Sequence, residues 1–169
     1  MPITDLLLPE YDLEMGITRT VLERVPDDKG EWKPHPKSFS MAHLAQLVAR
    51  MPSWVRAVTD RPELDLSSAE SAMSAGYSTE KTATLLALFD KNVIDGRAAI
   101  AAMTDERFGE QWSFKAGGHT MFTQAKYLAL RTSVLNHLVH HRAQLGVYLR
   151  LVDEPVPGMY GPTADTKQG

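Results

Sequence analysis

The chain has 169 residues, 43% hydrophobic and 23% charged, a balance that predicts one folded globular domain over residues 1–169 and excludes a disordered or fibrous protein. Its formal net charge of -3, with no run of Lys or Arg interleaved with aromatics, argues against a nucleic-acid partner. The absence of cysteine removes disulfides, thiolate ligands and a cysteine nucleophile together, so any metal must be held by His, Asp, Glu or water.

The opening MPITDLLLPEYDLEMG carries no basic segment ahead of its short leucine run, and no stretch of about 18 apolar residues follows. A cytoplasmic protein with no membrane partner is expected. Helical periodicity marks four segments. The first is expected to begin near Pro9, with Leu13, Ile17, Val21 and Val25 on one stripe, and to stop at Pro26. The link DDKGEWKPHPKS leads to a second helix capped by Ser38 or Ser40, with Leu44, Leu47, Val48 and Met51 inward. Pro52 should kink or end it, while Trp54, Val55 and Val58 continue the stripe. A Ser/Ala/Gly-rich loop over residues 62–77 precedes a third helix. That helix should start after Ser78 or Thr79 and run through Leu85, Leu86, Phe89, Val93 and Ile100 to about Met103, with Gly96 as its weak spot. The stretch FGEQWSFKAGGH reads as a short hairpin or irregular link turning at Gly117-Gly118, and the fourth helix runs from about Thr123 to Val152. The fold expected from these elements is all-α, an antiparallel four-helix bundle.

The fourth helix carries LNHLVHHRAQLGVYLRL, in which His137 and His141 share a face. Residues four apart on a helix lie about 6 Å apart at Cβ, so both imidazoles can reach one point. Histidines in place of two core leucines need partners for their nitrogens. A divalent metal supplies both, as do buried carbonyls or a half-exposed bundle end. Leu138 occupies the position at which a zinc protease carries its HExxH glutamate, which excludes that chemistry. His140 points about 100° away from His141. A third ligand must come from another helix, and His43 on the stripe Ser40, His43, Leu47, Met51 is the candidate. His35 and His119 fall in loops. Asp90, Asp95, Glu10 and Asp12 offer carboxylates that more usually mark a solvated face. No GxSxG, GxxxxGK[ST] or GxGxxG motif is present.

Taken together, LNHLVHHRAQLGVYLR, the following PVPGMYGPTAD, EWKPHPKSFS before the second helix and LLLPEYDLEM at the start resemble the DinB-like (damage-inducible) proteins of the DinB/YfiT superfamily, from about Ile3 to Asp165. The resemblance implies an up-and-down four-helix bundle, usually a homodimer, with a divalent metal such as Ni²⁺ or Zn²⁺ held by one histidine of the second helix and two of the fourth. His137 and His141 match the latter pair. The family's LAxH pattern places the remaining histidine at position 47, which here is Leu47; His43 lies one turn earlier, about 6 Å along the axis. The resemblance further implies a metal-dependent hydrolase or a transferase acting with a low-molecular-weight thiol on a small molecule. Gln144, Arg142 and Tyr160 are then the candidate substrate-contacting groups. The alternative is a relative whose metal site is partial or absent and which serves as a small-ligand binding or interaction module. The tail PVPGMYGPTAD is expected to be ordered through Val156, Met159 and Tyr160 and to help close the pocket.

Overall fold

The first helix, α1 (Ile3–Leu22), starts well ahead of Pro9, which sits inside it. A proline there forgoes one intrahelical hydrogen bond. The start is instead fixed from a distance, because the Ile3 N–H donates to Asp105 Oδ1 at 2.8 Å. Leu7, Tyr11, Met15, Thr18 and Leu22 are buried; of the expected stripe Val21 is buried and Val25 packs on the core, while Leu13 is exposed. This is a computed structural model describing residues 1–68 and 81–166.

The second helical segment follows its sequence signals closely. Helix α2 (Met41–Arg50) is capped by Ser40, whose side chain accepts from the His43 N–H at 3.3 Å. A 3₁₀ turn (Met51–Ser53) accommodates Pro52, and α3 (Trp54–Thr59) resumes the helix. Leu44, Leu47, Val48, Met51, Trp54, Val55 and Val58 are all buried along this run. Helix α4 occupies Thr82–Ala101; its expected start at Ser78 or Thr79, with most of the expected loop before it, lies outside the described residues.

The expectation of an all-α bundle is overturned by a three-stranded mixed sheet. Strand β1 (Glu63–Asp65) pairs in parallel with β2 (Gln111–Ala116), which pairs antiparallel with β3 (His119–Ala125). The β2–β3 hairpin turns at Gly117 (φ 61) and Gly118 (φ 79), the left-handed pair that a two-residue turn between right-twisted strands requires. Asp65 ties β1 to that turn by accepting from the N–H groups of Gly117 and Gly118 at 3.1 and 2.6 Å. A short helix, α5 (Asp105–Gly109), precedes the hairpin.

After β3 the chain enters α6 (Lys126–Ala129), a π-helical stretch (Leu130–Asn136) and α7 (His137–Leu151). The junction residues Ala129, Leu130, Asn136 and His137 all have right-handed helical dihedrals, so the three pieces form one long helix. The neighbour order also departs from a simple up-and-down bundle, in which consecutive helices are adjacent. Helices α1 and α2 each pack chiefly on α4 and α7, which places α1 and α2 on one diagonal and α4 and α7 on the other. The tail is ordered as expected, with Val156 and Met159 packed against the core. No described helix is long and apolar enough to cross a membrane.

Candidate metal site

The i, i+4 spacing on α7 brings His137 and His141 together. Their Nε2 atoms lie 3.0 Å apart, and His141 is buried. A hydrogen bond with the Ser133 backbone, one turn earlier in the π-helical stretch, acts on the His137 imidazole. His141 Nδ1 lies 2.8 Å from Gln144 Oε1, and the Gln144 amide nitrogen lies 3.1 Å from His140 Nε2. With His141 Nδ1 donating to Gln144, its Nε2 carries a lone pair aimed at the His137 ring, where a cation or a proton shared with His137 Nε2 would satisfy it. Burial pushes both imidazoles below the ordinary histidine value of 6.5, which favours the neutral form that a metal ligand needs.

The donor type fits a first-row divalent ion: His137 and His141 would hold it through two imidazole nitrogens that already meet at 3.0 Å. The donor set stops at two. Among the described residues no three of His, Asp and Glu converge to hold an ion. Leu47 is buried and offers no donor. His43 stacks on Phe39 with ring centroids 4.1 Å apart, and Phe39 in turn lies 6.3 Å from His141. Phe39 is held there by Tyr148 of α7, whose hydroxyl donates to the Phe39 carbonyl at 3.2 Å.

The remaining candidates lie elsewhere. The expected carboxylates are spent on ion pairs: Asp90 with Arg19, Asp95 with Lys91, Asp12 with Arg97, and Glu10 with Arg131. His35 Nδ1 accepts from the Lys37 N–H in the loop before α2, and His119 opens β3 on the surface. Arg142 turns away from the pair and is fully buried. Its guanidinium meets Glu14 Oε2 at 2.7 Å and donates to the Glu14 carbonyl, the Thr18 hydroxyl and the Tyr160 hydroxyl. The structure thus assembles His137, His141 and Gln144 at one place and Arg142 and Tyr160 at another. Among the described residues, neither cavity beside the histidines is lined by one beyond Tyr148, so the described part of the tail does not close them.

Cavities flank the pair on both sides. One, of about 380 Å³, reaches His137 and is walled by Trp54, the sheet and the π-helical stretch; Trp54 stands 5.5 Å from His137 between ring centroids. The other, of about 390 Å³, is lined by Lys37, Phe39, His141, Gln144 and Tyr148. Trp54 reads from the sequence only as one more position on the apolar stripe of α2, and Ser133 carries no signal there at all, since it acts through its backbone.

A helical bundle with a small mixed sheet and a histidine pair on its last long helix defines the class of protein. The chain matches the DinB family model over residues 3–168 and belongs to that family. A crystal structure of a DinB-like protein from Bacillus cereus ATCC 10987 is similar over 94% of this chain and 98% of that one, with a TM-score of 0.71 and 18% identity. YjoA, a DinB-like protein from Bacillus subtilis, is similar over 91% and 96%, with a TM-score of 0.67 and 17% identity. At these identities the likeness is one of fold. No curated protein matches the chain.

Proposed function

We propose that the chain is a metal-dependent enzyme acting on a small molecule, with a divalent ion such as Ni²⁺ or Zn²⁺ held by His137 and His141. The observation that carries this reading is the convergence of the two Nε2 atoms while Gln144 engages the opposite nitrogen of His141. A divalent ion held there by His137 and His141 would lower the pKa of a water or thiol bound to it, the activation that a hydrolase or a thiol-dependent transferase requires. Gln144 orients His141 and holds its Nδ1 proton. Cavities on both sides give a small substrate and a second reactant separate approaches.

A second reading is favoured by Leu47 and by the two-donor count: a DinB relative whose metal site is degraded and which binds small ligands without turnover. Metal analysis and Ni²⁺ calorimetry of the untagged protein separate the two, with His137→Ala, His141→Ala, His43→Ala and Leu47→His beside the wild type. The enzyme reading expects stoichiometric Ni²⁺ that either α7 substitution abolishes. A wild type that takes up no metal, while Leu47→His does, establishes the degraded site.

A further inference from the structure

Gln144 touches two imidazoles of α7 at once. His141 precedes it by three residues and His140 by four, the spacings that bring side chains together on a helix. The rings of His140 and His141 meet edge-on, with centroids 4.8 Å and planes 67° apart. One end of the Gln144 amide faces each ring: Oε1 lies 2.8 Å from His141 Nδ1, and Nε2 lies 3.1 Å from His140 Nε2.

Donor and acceptor chemistry leaves each contact a single assignment. An amide nitrogen only donates and an amide oxygen only accepts, whereas a neutral imidazole has one nitrogen of each kind. His140 Nε2 therefore accepts, which puts the His140 proton on Nδ1. His141 Nδ1 donates, which leaves its lone pair on Nε2, 3.0 Å from His137 Nε2. Turning the amide over reverses both bonds together. His140 would then donate through Nε2, and His141 would carry its proton on Nε2, toward His137. Toward His141 alone, Gln144 has no preference, because it can accept from one tautomer or donate to the other. The group on its far side decides.

We propose that His140 is a positioning residue: by accepting from the Gln144 amide it fixes which way that amide faces and keeps the His141 proton on Nδ1. The consequence for an ion on His141 Nε2 rests on the metal reading; the coupling of the two tautomers does not.

Nitrogen-15 NMR of the intact, metal-free, histidine-labelled protein tests it. Correlation spectra recorded at about pH 8, well above the ordinary histidine value of about 6.5, separate protonated from unprotonated ring nitrogens. A His141→Ala sample identifies the signals. Position 140 is exposed, so substitutions there leave the core untouched. Wild-type His141 should show a protonated Nδ1 and a bare Nε2. His140→Phe removes the acceptor without adding charge and should leave His141 as a mixture of tautomers. His140→Glu, whose carboxylate only accepts, should restore the Nδ1 form. His140→Lys, whose ammonium only donates, should draw Oε1 to itself and move the His141 proton to Nε2. A wild-type His141 protonated on Nε2, or a tautomer that is the same in His140→Phe and His140→Lys as in the wild type, overturns the proposal. A His140→Glu spectrum that matches His140→Phe does so too.

Ni²⁺ titration of the same preparations is read separately. His140→Lys should bind Ni²⁺ about tenfold more weakly than the wild type in about 1 M salt, where charges more than about 3 Å apart are screened. Equal affinities beside responsive tautomers overturn the consequence for the ion. Tautomers that follow the series in a protein that binds no Ni²⁺ remove the metal reading and keep the positioning role, and Ni²⁺ binding with unresponsive tautomers does the opposite.

Discussion

Gly96 of α4 packs so closely on Tyr11 of α1 that a Cβ at position 96 would stand 2.5 Å from the tyrosine hydroxyl oxygen and 2.8 Å from the Pro52 carbonyl oxygen. A glycine inside a helix ordinarily costs about 0.5–1 kcal/mol relative to alanine, so Gly96→Ala at an open site would be stabilising. Here the overlap is with a backbone oxygen as well as a side chain, and the variant should be destabilised by about 1–3 kcal/mol. In a domain of this length that lowers the melting temperature by about 2–4 °C per kcal/mol. Adding Tyr11→Phe should recover only part of the loss, since the Pro52 carbonyl remains. A Gly96→Ala protein more stable than wild type in urea would refute the close packing of α1, α4 and the Pro52 turn.

Gln144 should matter to metal affinity although it is not itself a ligand. It accepts the Nδ1 proton of His141 and thereby aims the opposite lone pair. Outer groups of this kind typically contribute about 10- to 100-fold to affinity, and Gln144→Leu should weaken Ni²⁺ binding by that factor with little change in thermal stability. Gln144→Glu, which still accepts from Nδ1, should retain binding. Calorimetric titration of Ni²⁺ into the three proteins decides the matter, and unchanged affinity in Gln144→Leu removes this residue from the site.

The buried His141 and the half-buried His137 give the metal-free protein a defined pH response. Burial lowers the folded-state pKa of His137 and of His141 below the ordinary 6.5. Well above pH 6.5 both states are neutral and the pair exerts no pH effect. As pH falls through 6.5 the unfolded chain takes up protons that the folded chain refuses, so stability declines until the lowered folded pKa values are reached. Metal binding should correspondingly persist somewhat below pH 6.5, where solvent-exposed histidines would already be charged. Urea midpoints between pH 5 and 8 should fall on the acid side, and His137→Ala with His141→Ala should flatten that slope.

Arg142 and Glu14 form a buried pair whose members are unequal in what they leave behind. Arg142→Met strands the Glu14 carboxylate in the core beneath the tail and should cost about 3–5 kcal/mol. Combining Arg142→Met with Glu14→Met should return most of that loss. The Tyr160 hydroxyl donates to both Glu14 carboxylate oxygens at 2.8 Å, so the double variant should also free the tail and speed proteolysis after Arg150. Equal stability of the single and double variants would show that the pair is not coupled.

What the sequence made legible divides along the line between local and distant causes. The α2 run could be read because Ser40, the apolar stripe and Pro52 all act within a few residues of themselves. The hairpin followed from Gly117-Gly118 for the same reason. The start of α1 is not legible because Ile3 is capped by Asp105, a hundred residues on. Strand β1 exists through parallel pairing with β2, which a three-residue stretch cannot announce. The histidine pair needed only helical spacing. The cavity beside it, by contrast, is assembled from α3, the sheet and the π-helical stretch, and Arg142 owes its burial to Glu14, which only the tertiary fold reveals.

The π-helical stretch at Leu130–Asn136 sets the phase of the last helix. Each residue advances an α-helix by about 100°, so a turn that holds more than the usual number of residues offsets everything beyond it azimuthally from everything before it. Thr132, Ser133 and Val134 line the aromatic cavity from within this stretch, and His137 begins immediately after it. Winding these same residues as regular α-helix would rotate His137 and His141 together by about 100°, leaving their mutual spacing intact and turning both from Trp54 and Phe39, whereas removing one residue along with the widened turn would leave both where they stand. The alignment of the imidazoles with their surroundings is therefore set jointly by the widened turn and the extra residue it takes up, and no point substitution within the pair can reset it.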